Sequence, residues 1–534
     1  MRQSFTLKLK PYIQPFERKL AIDELRVVAG CDPRAIDPDS ANTIDFRVET
    51  SVDARVLVDR LAYWEMVVAR NAFTTLQSLR ESTVNVVRNG VPLKEIEEQL
   101  PFGLSVPLPN RRCLRYGPHG IHEYRGKFFP QLVRSLMNIA EVPNKGIVAD
   151  PMCGSGTTPV EASLSGCTAL GLDMNPLSVE ISQTKCLLLK ASPTTLGNIY
   201  ETVKAKLMAE KPSNRFRPLQ YLNLLPQSDQ EYLKKWFSEQ VLLDLDQIVQ
   251  VVDQVEDKPS RSLLKIALSN ILRGVSWQKV DDLRIRKEIR PDKEIDPIRD
   301  YLEELGRSVR FVLAFLRQSP DLQLGSVIIS EGDARTADKS WAEWKGKIDA
   351  IINSPPYATA LPYLDTDRLS LCYMQLLTRP EHRQRDDQMI GNREVTERGR
   401  LAYWVLYEKQ RDLLPGSVQK LIDKIAKLND IADVGFRRKN LPALLAKYFL
   451  DMRLVLAAMH KVLRQGRPAF VVVGNNHTIA GGQRVEIETA TLLAELGEMV
   501  GFKQGTHRPM EMLLSRDIFR NNAVASEYIL ELRR

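Results

Sequence analysis

The sequence predicts an α/β protein built on a mixed, mostly parallel sheet, and three stretches carry that expectation. GIVADPMCGSGTT, PVEASLSGC and TALGLDMN (146–175) read as strand, tight turn, helix and strand. Such a βαβ unit implies parallel pairing. Short apolar strands resume in SVIISEGDA (326–334), DAIINSPPY (349–357) and AFVVVGNN (469–476). The last stretches, GFKQGTHRP (501–509) and SEYILELRR (526–534), suit an antiparallel pair that closes the sheet.

Taken in order, residues 1–100 read as an N-terminal accessory domain. SFTLKLKPYI suggests a strand, and PFERKLAIDELRVVAG a helix stopped by Gly30. VDARVLVDRLAYWEMVVARNAFTTLQSL (52–79) repeats apolar residues at helical spacing. LPFGLSVPLPNRR (100–112), with three prolines and a glycine, reads as a linker. Residues 101–190 hold the helix FFPQLVRSLMNIA and the βαβ unit. Residues 191–320 form a charged helical insert, clearest in SLLKIALSNILRGVSWQ and PIRDYLEELGRSVRFVLAFLRQ. Strands return over 321–375, and a second insert spans 376–445. Residues 446–534 complete the sheet, with helices in YFLDMRLVLAAMHKVLRQG and EIETATLLAELGEMVGF. There are no internal repeats and no low-complexity tract.

The 534 residues are 43% hydrophobic and 27% charged, an ordinary globular balance. No apolar run approaches the ~18 residues of a membrane span. The opening MRQSFTLKLKPYIQPFERK lacks an apolar signal segment. The six cysteines (31, 113, 153, 167, 186, 372) form no CxxC pair. That pattern points to a reducing, cytoplasmic setting and away from a zinc site. The net charge of +8 permits polyanion binding through phosphate neutralisation.

Asp150, Pro151, Cys153, Gly154, Ser155, Gly156 and Thr157 lie in a turn that follows a strand and opens a helix. Glycines there let backbone N–H groups approach a ligand closely. A dinucleotide fingerprint wants glycine where Pro159 stands, and a P-loop wants a lysine that is missing. Asp173 ends the next strand, where an acidic residue accepts from ribose hydroxyls. The pair describes a nucleoside site without a phosphate grip, suited to S-adenosylmethionine. Asp333 ends the strand across the switch point and suits an adenine amine, or else a helix N-cap, since Ala-Arg-Thr-Ala follows.

Ser354, Pro355, Pro356 and Tyr357 leave a strand at the carboxyl edge of the sheet, where open α/β sheets place their sites. Two prolines remove two backbone donors, so local carbonyls face a ligand without competition. Ser354 Oγ and the Pro355 carbonyl suit an amino group, and Tyr357 offers a flat face for a base. Two acceptors on an exocyclic amine would free its delocalised lone pair for attack on a methyl donor. A duplex base reaches such a pocket only when flipped out.

Together, DPMCGSGTT and NSPPY resemble the amino-methyltransferases of DNA, which make N4-methylcytosine or N6-methyladenine. The resemblance covers about half the chain, in pieces. It implies a Rossmann-like class I methyltransferase core with a seven-stranded mixed sheet, S-adenosylmethionine as cofactor, and double-stranded DNA as partner. A cognate restriction or defence-system protein is a further implied partner, with no metal and no membrane. His122, Tyr124, Lys127, Phe128 and Pro130 match the stretch before the glycine turn that helps bind the methionine end of the cofactor. Serine at position 354 is similar to the cytosine-N4 subgroup, whereas adenine enzymes more often carry Asp or Asn. C5-cytosine chemistry needs a Pro-Cys nucleophile, which this chain lacks.

Arg284, Arg286, Lys287 and Arg290 in the first insert, and Arg437, Arg438 and Lys439 in the second, are the candidates for phosphate contacts. The later insert is the better candidate for target recognition, because Asp365, Asp367 and Arg368 lead toward it from the tetrapeptide. Adenine-N6 methylation of DNA is the first alternative. A tRNA guanine-N2 methyltransferase, which shares a Pro-Pro-Tyr tetrapeptide, is another. Pro291-Asp292 with Glu343-Trp-Lys345 mimics a nuclease signature, but Glu343 falls inside the core. A non-catalytic binding module would be expected to have lost the residues at 150, 154, 156, 173 and 354–357.

Overall fold

The computed structural model describes every residue except 1, 38–42, 89–91, 100–107, 125, 127, 210–218, 280–285, 290–294, 359–362, 393–394, 433 and 512–525. The N-terminal unit is a five-stranded sheet of β1 (Gln3–Leu9), β2 (Arg34–Ala35), β3 (Asp45–Thr50), β4 (Trp64–Val68) and β5 (Ala72–Thr74), in the order β2-β3-β1-β4-β5. The expected helix Pro15–Ala29 forms and ends at Gly30 in the left-handed conformation.

The helix expected over 52–79 is corrected. Only Ala54–Arg60 is helical before β4 and β5, and a second helix follows at Leu76–Arg88. Leu61, Ala62, Tyr63 and Trp64 are all 1% exposed or less. Four consecutive buried residues have no polar face to offer water, and β4 pairs with β1 instead.

The core sheet contains β6 (Ile147–Asp150), β7 (Thr168–Asp173), β8 (Val327–Glu331), β9 (Ala350–Asn353) and β10 (Pro468–Gly474), which pair in parallel. A hairpin of β11 (Asn476–Ala480) and β12 (Gln483–Ile487) leaves the carboxyl end of β10. The antiparallel β13 (Lys503–Glu511) and β14 (Ser526–Arg533) close the sheet in the order β13-β14-β10-β9-β6-β7-β8. This is the seven-stranded, mostly parallel arrangement of a Rossmann-like methyltransferase core. Strands such as β10 are buried along their whole length, as parallel strands covered on both faces must be. The chain builds β6, β7 and β8 outward, then returns to lay β9 on the other side of β6. The crevice at the carboxyl ends of β6 and β9 is therefore the topological switch point.

Helix Pro130–Ile139 and the N-terminal unit cover one face of the sheet, and helices Phe436–Val462 and Thr489–Met499 cover the other. The long helix begins at Phe436, well before the expected 448, and runs through Pro442. The N-terminal unit is tied in by polar contacts as well. Lys10 Nζ lies 2.7 Å from Glu81, both side chains 1% exposed, and Gln131 Nε2 donates to the same carboxylate at 3.0 Å. Helices Pro193–Ala209, Glu239–Asp253, Lys258–Val275 and Pro297–Gln318 build the first insert around an apolar cluster shared with core residues such as Val160 and Leu177.

Candidate active site

The site starts with the turn between β6 and helix Thr157–Leu164. Gly154 and Gly156 have φ of 49° and 79°, a region costly for residues with a side chain. A Cβ at Gly156 would fall 2.2 Å from Ser182 Oγ, and one at Gly154 would fall 3.0 Å from the Tyr124 ring. Glycine is thus required for both dihedral and space. The turn is pinned by carboxylates. Met152 N–H donates to Asp150 Oδ1 at 3.1 Å, and Gly154 N–H donates to Asp173 Oδ2 at 2.8 Å. Asn175 N–H donates to the other oxygen of Asp173 at 2.9 Å. Burial pushes Asp150 up to about 7 and Asp173 up to about 6, against the lowering effect of these bonds.

Tyr124 OH lies 2.9 Å from Ser178 Oγ, which fastens the Tyr124 ring beside the turn. From β9, Ser354–Tyr357 reach the same space. A cavity of about 270 Å³ is lined by Tyr124, Phe128, Pro151, Cys153, Gly154, Ser155, Thr157, Asp173 and all four tetrapeptide residues. The two motifs, some 200 positions apart in sequence, face one pocket.

The other expected site residues lie around it. Asp150 is buried under the turn, Gly156 caps the helix that follows, and Pro130 is the first residue of helix Pro130–Ile139. His122 turns toward Ser269 of the first insert, with Nε2 3.4 Å from Ser269 Oγ, and is not a lining residue. Lys127 lies outside the described residues. Asp333 caps the turn Ala334–Thr336, and its carboxylate is held by the Arg335 guanidinium at 2.7 Å. Gly332 and Ala334, on either side of it, do line the cavity.

Of the basic residues, Arg437, Arg438 and Lys439 are exposed in the first turn of helix Phe436–Val462. Arg286 and Lys287 are exposed too, with Lys287 Nζ 4.6 Å from the Trp277 ring centroid. Arg284 and Arg290 lie outside the described residues, as do Pro291 and Asp292 of the nuclease-like pattern.

The segment of Asp365, Asp367 and Arg368 meets both inserts: helix Tyr363–Thr366 packs against helix Arg379–Gln388 of the second, as expected, and Arg368 turns to the first. The Arg368 guanidinium is 5.2 Å from the ring centroids of both Tyr232 and Trp236, in the first insert. Asp367 accepts from Asn175 Nδ2 at 2.8 Å. The cation–π pairing draws this segment toward the first insert. The second insert reaches the pocket by another route. Met389 and Ile390 line it, and a Cβ at Gly391 would fall 3.0 Å from the Tyr357 carbonyl oxygen.

Sequence reasoning missed Glu527, Asn175, Met389, Ile390, Val472 and Met510, all lining residues. Glu527 Oε1 accepts from Tyr357 OH at 2.5 Å. A signal for it existed, because the first residues of a closing antiparallel strand lie at the carboxyl edge of its parallel neighbours.

The pocket fits a nucleoside cofactor. A Cβ at Gly154, which lines the cavity, would crowd the Tyr124 ring on its wall. Ser155, 2% exposed and lining the cavity, has an Oγ without a partner among the described residues. Asp173 supplies an acceptor on its wall. No group of three or more potential metal ligands occurs among the described residues, and no described helix is long and apolar enough to cross a membrane.

Residues 122–207 match the family model described as UPF0020, RMKL-like, methyltransferase domain. The chain is similar to the Type II methyltransferase M.MjaII of Methanocaldococcus jannaschii, 24% identical over 51% of this chain and 65% of that protein's length. It is also 24% identical to the Type II methyltransferase M.AvaI of Nostoc sp., over 71% of this chain and 78% of the relative. Among solved structures, TrmN from Thermus thermophilus aligns at 11% identity over 99% of both chains, with a TM-score of 0.31. On its two motifs and on these relatives, the chain resembles the DNA amino-methyltransferases.

Proposed function

We propose that the chain is a site-specific DNA methyltransferase acting on the exocyclic amine of a flipped base, with cytosine N4 as the target. The observation that carries the reading is the single cavity lined by both the glycine turn with Asp173 and the Ser354–Tyr357 tetrapeptide. Asp173 would hold the ribose hydroxyls of S-adenosylmethionine, the stretch Gly332–Ala334 the adenine, and the segment around Tyr124 and Phe128 the methionine end. Bound there, the cofactor supplies an electrophilic methyl group.

The protein's part is placement. Ser354 Oγ and the Pro355 carbonyl accept from the amine N–H groups, which favours a pyramidal nitrogen with an available lone pair. Tyr357 stacks on the extruded base. Fixing nucleophile and methyl donor in line supplies much of the rate. The exposed cations at 286–287 and 437–439 suit backbone phosphates, which fix register without reading sequence. The second insert is the candidate for target recognition, supported by Met389, Ile390 and Gly391 at the tetrapeptide.

The test is transfer of a labelled methyl group to duplex DNA and to bulk tRNA in parallel, with product nucleosides resolved by mass. N4-methylcytosine in DNA is expected. N6-methyladenine would keep the substrate class and overturn the argument from Ser354. Methylated guanine in tRNA would replace the substrate.

A further inference from the structure

We propose that Glu527 is a positioning residue that sets the Tyr357 ring through its hydroxyl. The inference rests on the reading of the pocket as a base site. Three observations carry it. Tyr357 OH donates to Glu527 Oε1 at 2.5 Å, a charge-assisted length. Both residues line the cavity, so the bond spans its wall rather than a remote packing layer. Glu527 also belongs to a different part of the chain: β14 pairs with β10 from Glu527 to Arg533, with Glu527 opposite Gly474 and Ile529 opposite Val472.

The reason for such a bond lies in what precedes and follows the ring. Residues 354–357 leave β9 as a loop, and two prolines deprive that loop of backbone donors. The Tyr357 side chain is therefore held less by its own backbone than a strand residue would be. A stacking face is useful only if its plane is set before the base arrives, since ordering it afterwards costs affinity. β14 is anchored on both sides, by β10 and β13, and offers a rigid point for that purpose. A carboxylate is the acceptor that grips a phenol hydroxyl most firmly. Burial raises the carboxyl of Glu527, as expected for an acid walled into the pocket and held by one hydroxyl. Glu527 touches the reacting base through Tyr357, not in place of it.

The test is a mutant cycle read in steady-state kinetics, with cofactor affinity measured separately. Glu527→Ala, Tyr357→Phe and the Tyr357→Phe/Glu527→Ala double variant are compared with wild type. Losing a hydrogen bond to a charged group predicts a roughly ten- to hundredfold fall in kcat/KM for Glu527→Ala. Cofactor affinity and thermal midpoint stay at wild-type values. The double variant is expected to be no worse than Tyr357→Phe alone, because the bond can be lost only once. Glu527→Gln, which still offers a carbonyl to the hydroxyl, is expected to recover most of the activity. Additive losses in the double variant would overturn the proposal, as they would mean that Glu527 acts independently of the hydroxyl. So would full activity of Glu527→Ala. If wild-type protein transfers no methyl group to any nucleic acid, the base-pocket reading falls and takes this proposal with it. If wild type is active and the cycle is additive, only the proposal falls.

Discussion

Replacing Gly156 by alanine tests the architecture of the turn more sharply than any other single change. Two costs add there. At φ 79° an L-residue loses about 1–2 kcal/mol to the clash of Cβ with its own backbone. The new methyl would also lie 2.2 Å from Ser182 Oγ and 2.8 Å from its Cβ, so helix Pro176–Leu188 must shift. Overpacking of that kind costs about 1–3 kcal/mol more. The sum is about 2–5 kcal/mol, a large share of a typical domain's stability. Gly30→Ala is the control, because Gly30 has φ 66° and its new methyl would meet nothing within 4 Å. It pays only the first cost, about 1–2 kcal/mol. Urea denaturation of both variants separates the terms, and cofactor titration shows whether the turn has moved. Ser182→Ala in the Gly156→Ala background removes the nearest atom and is expected to recover part of the loss. Equal destabilisation by the two glycine replacements, with cofactor affinity intact, would refute the steric argument.

Three further outcomes follow from the same geometry. Tyr357→Ala is expected to abolish methyl transfer and leave cofactor affinity unchanged in a titration; equal loss of both would dismiss the stacking role. Asp173 titrates near 6 when folded against an ordinary 3.8, so the folded state holds its proton more tightly. Its contribution to stability is therefore present below about pH 4 and lost as pH rises through about 6. Ribose binding needs the charged form, so cofactor affinity should rise over that same interval. The rise should vanish in Asp173→Asn, and an affinity flat between about pH 5 and 8 in wild type would exclude the assignment. Replacing Arg437, Arg438 and Lys439 together by glutamine should flatten the salt dependence of DNA binding by about 0.9 in log–log slope per lost phosphate contact. An unchanged slope would free those residues from the interface.

The core was legible because its signals are local. IVAD, AIIN and AFVVV are apolar runs of strand length, and DPMCGSGTT places glycines where the turn needs positive φ. The accessory domain was less so. LAYWEMVVA has apolar residues that satisfy a helical spacing by coincidence, and only pairing with β1 decides the matter for the strand. Motif residues that line the cavity by themselves, such as Ser354 and Gly154, were readable from type and order. Met389 was not, since nothing near it in sequence marks it for the pocket, and Glu527 was marked only by its position at the start of the closing strand. Their place comes from β14 closing the sheet and from the second insert folding back on the tetrapeptide. That Arg368 also reaches the first insert was unreadable for a similar reason. A cation is drawn to whatever aromatic faces the fold brings near, and Tyr232 and Trp236 arrive from the first insert.

The most direct test of the whole account is the mass of the nucleoside produced when the protein, labelled S-adenosylmethionine and duplex DNA of varied sequence are incubated together. The account predicts N4-methylcytosine, with none formed by Tyr357→Ala. Methyl transfer to tRNA alone would contradict it.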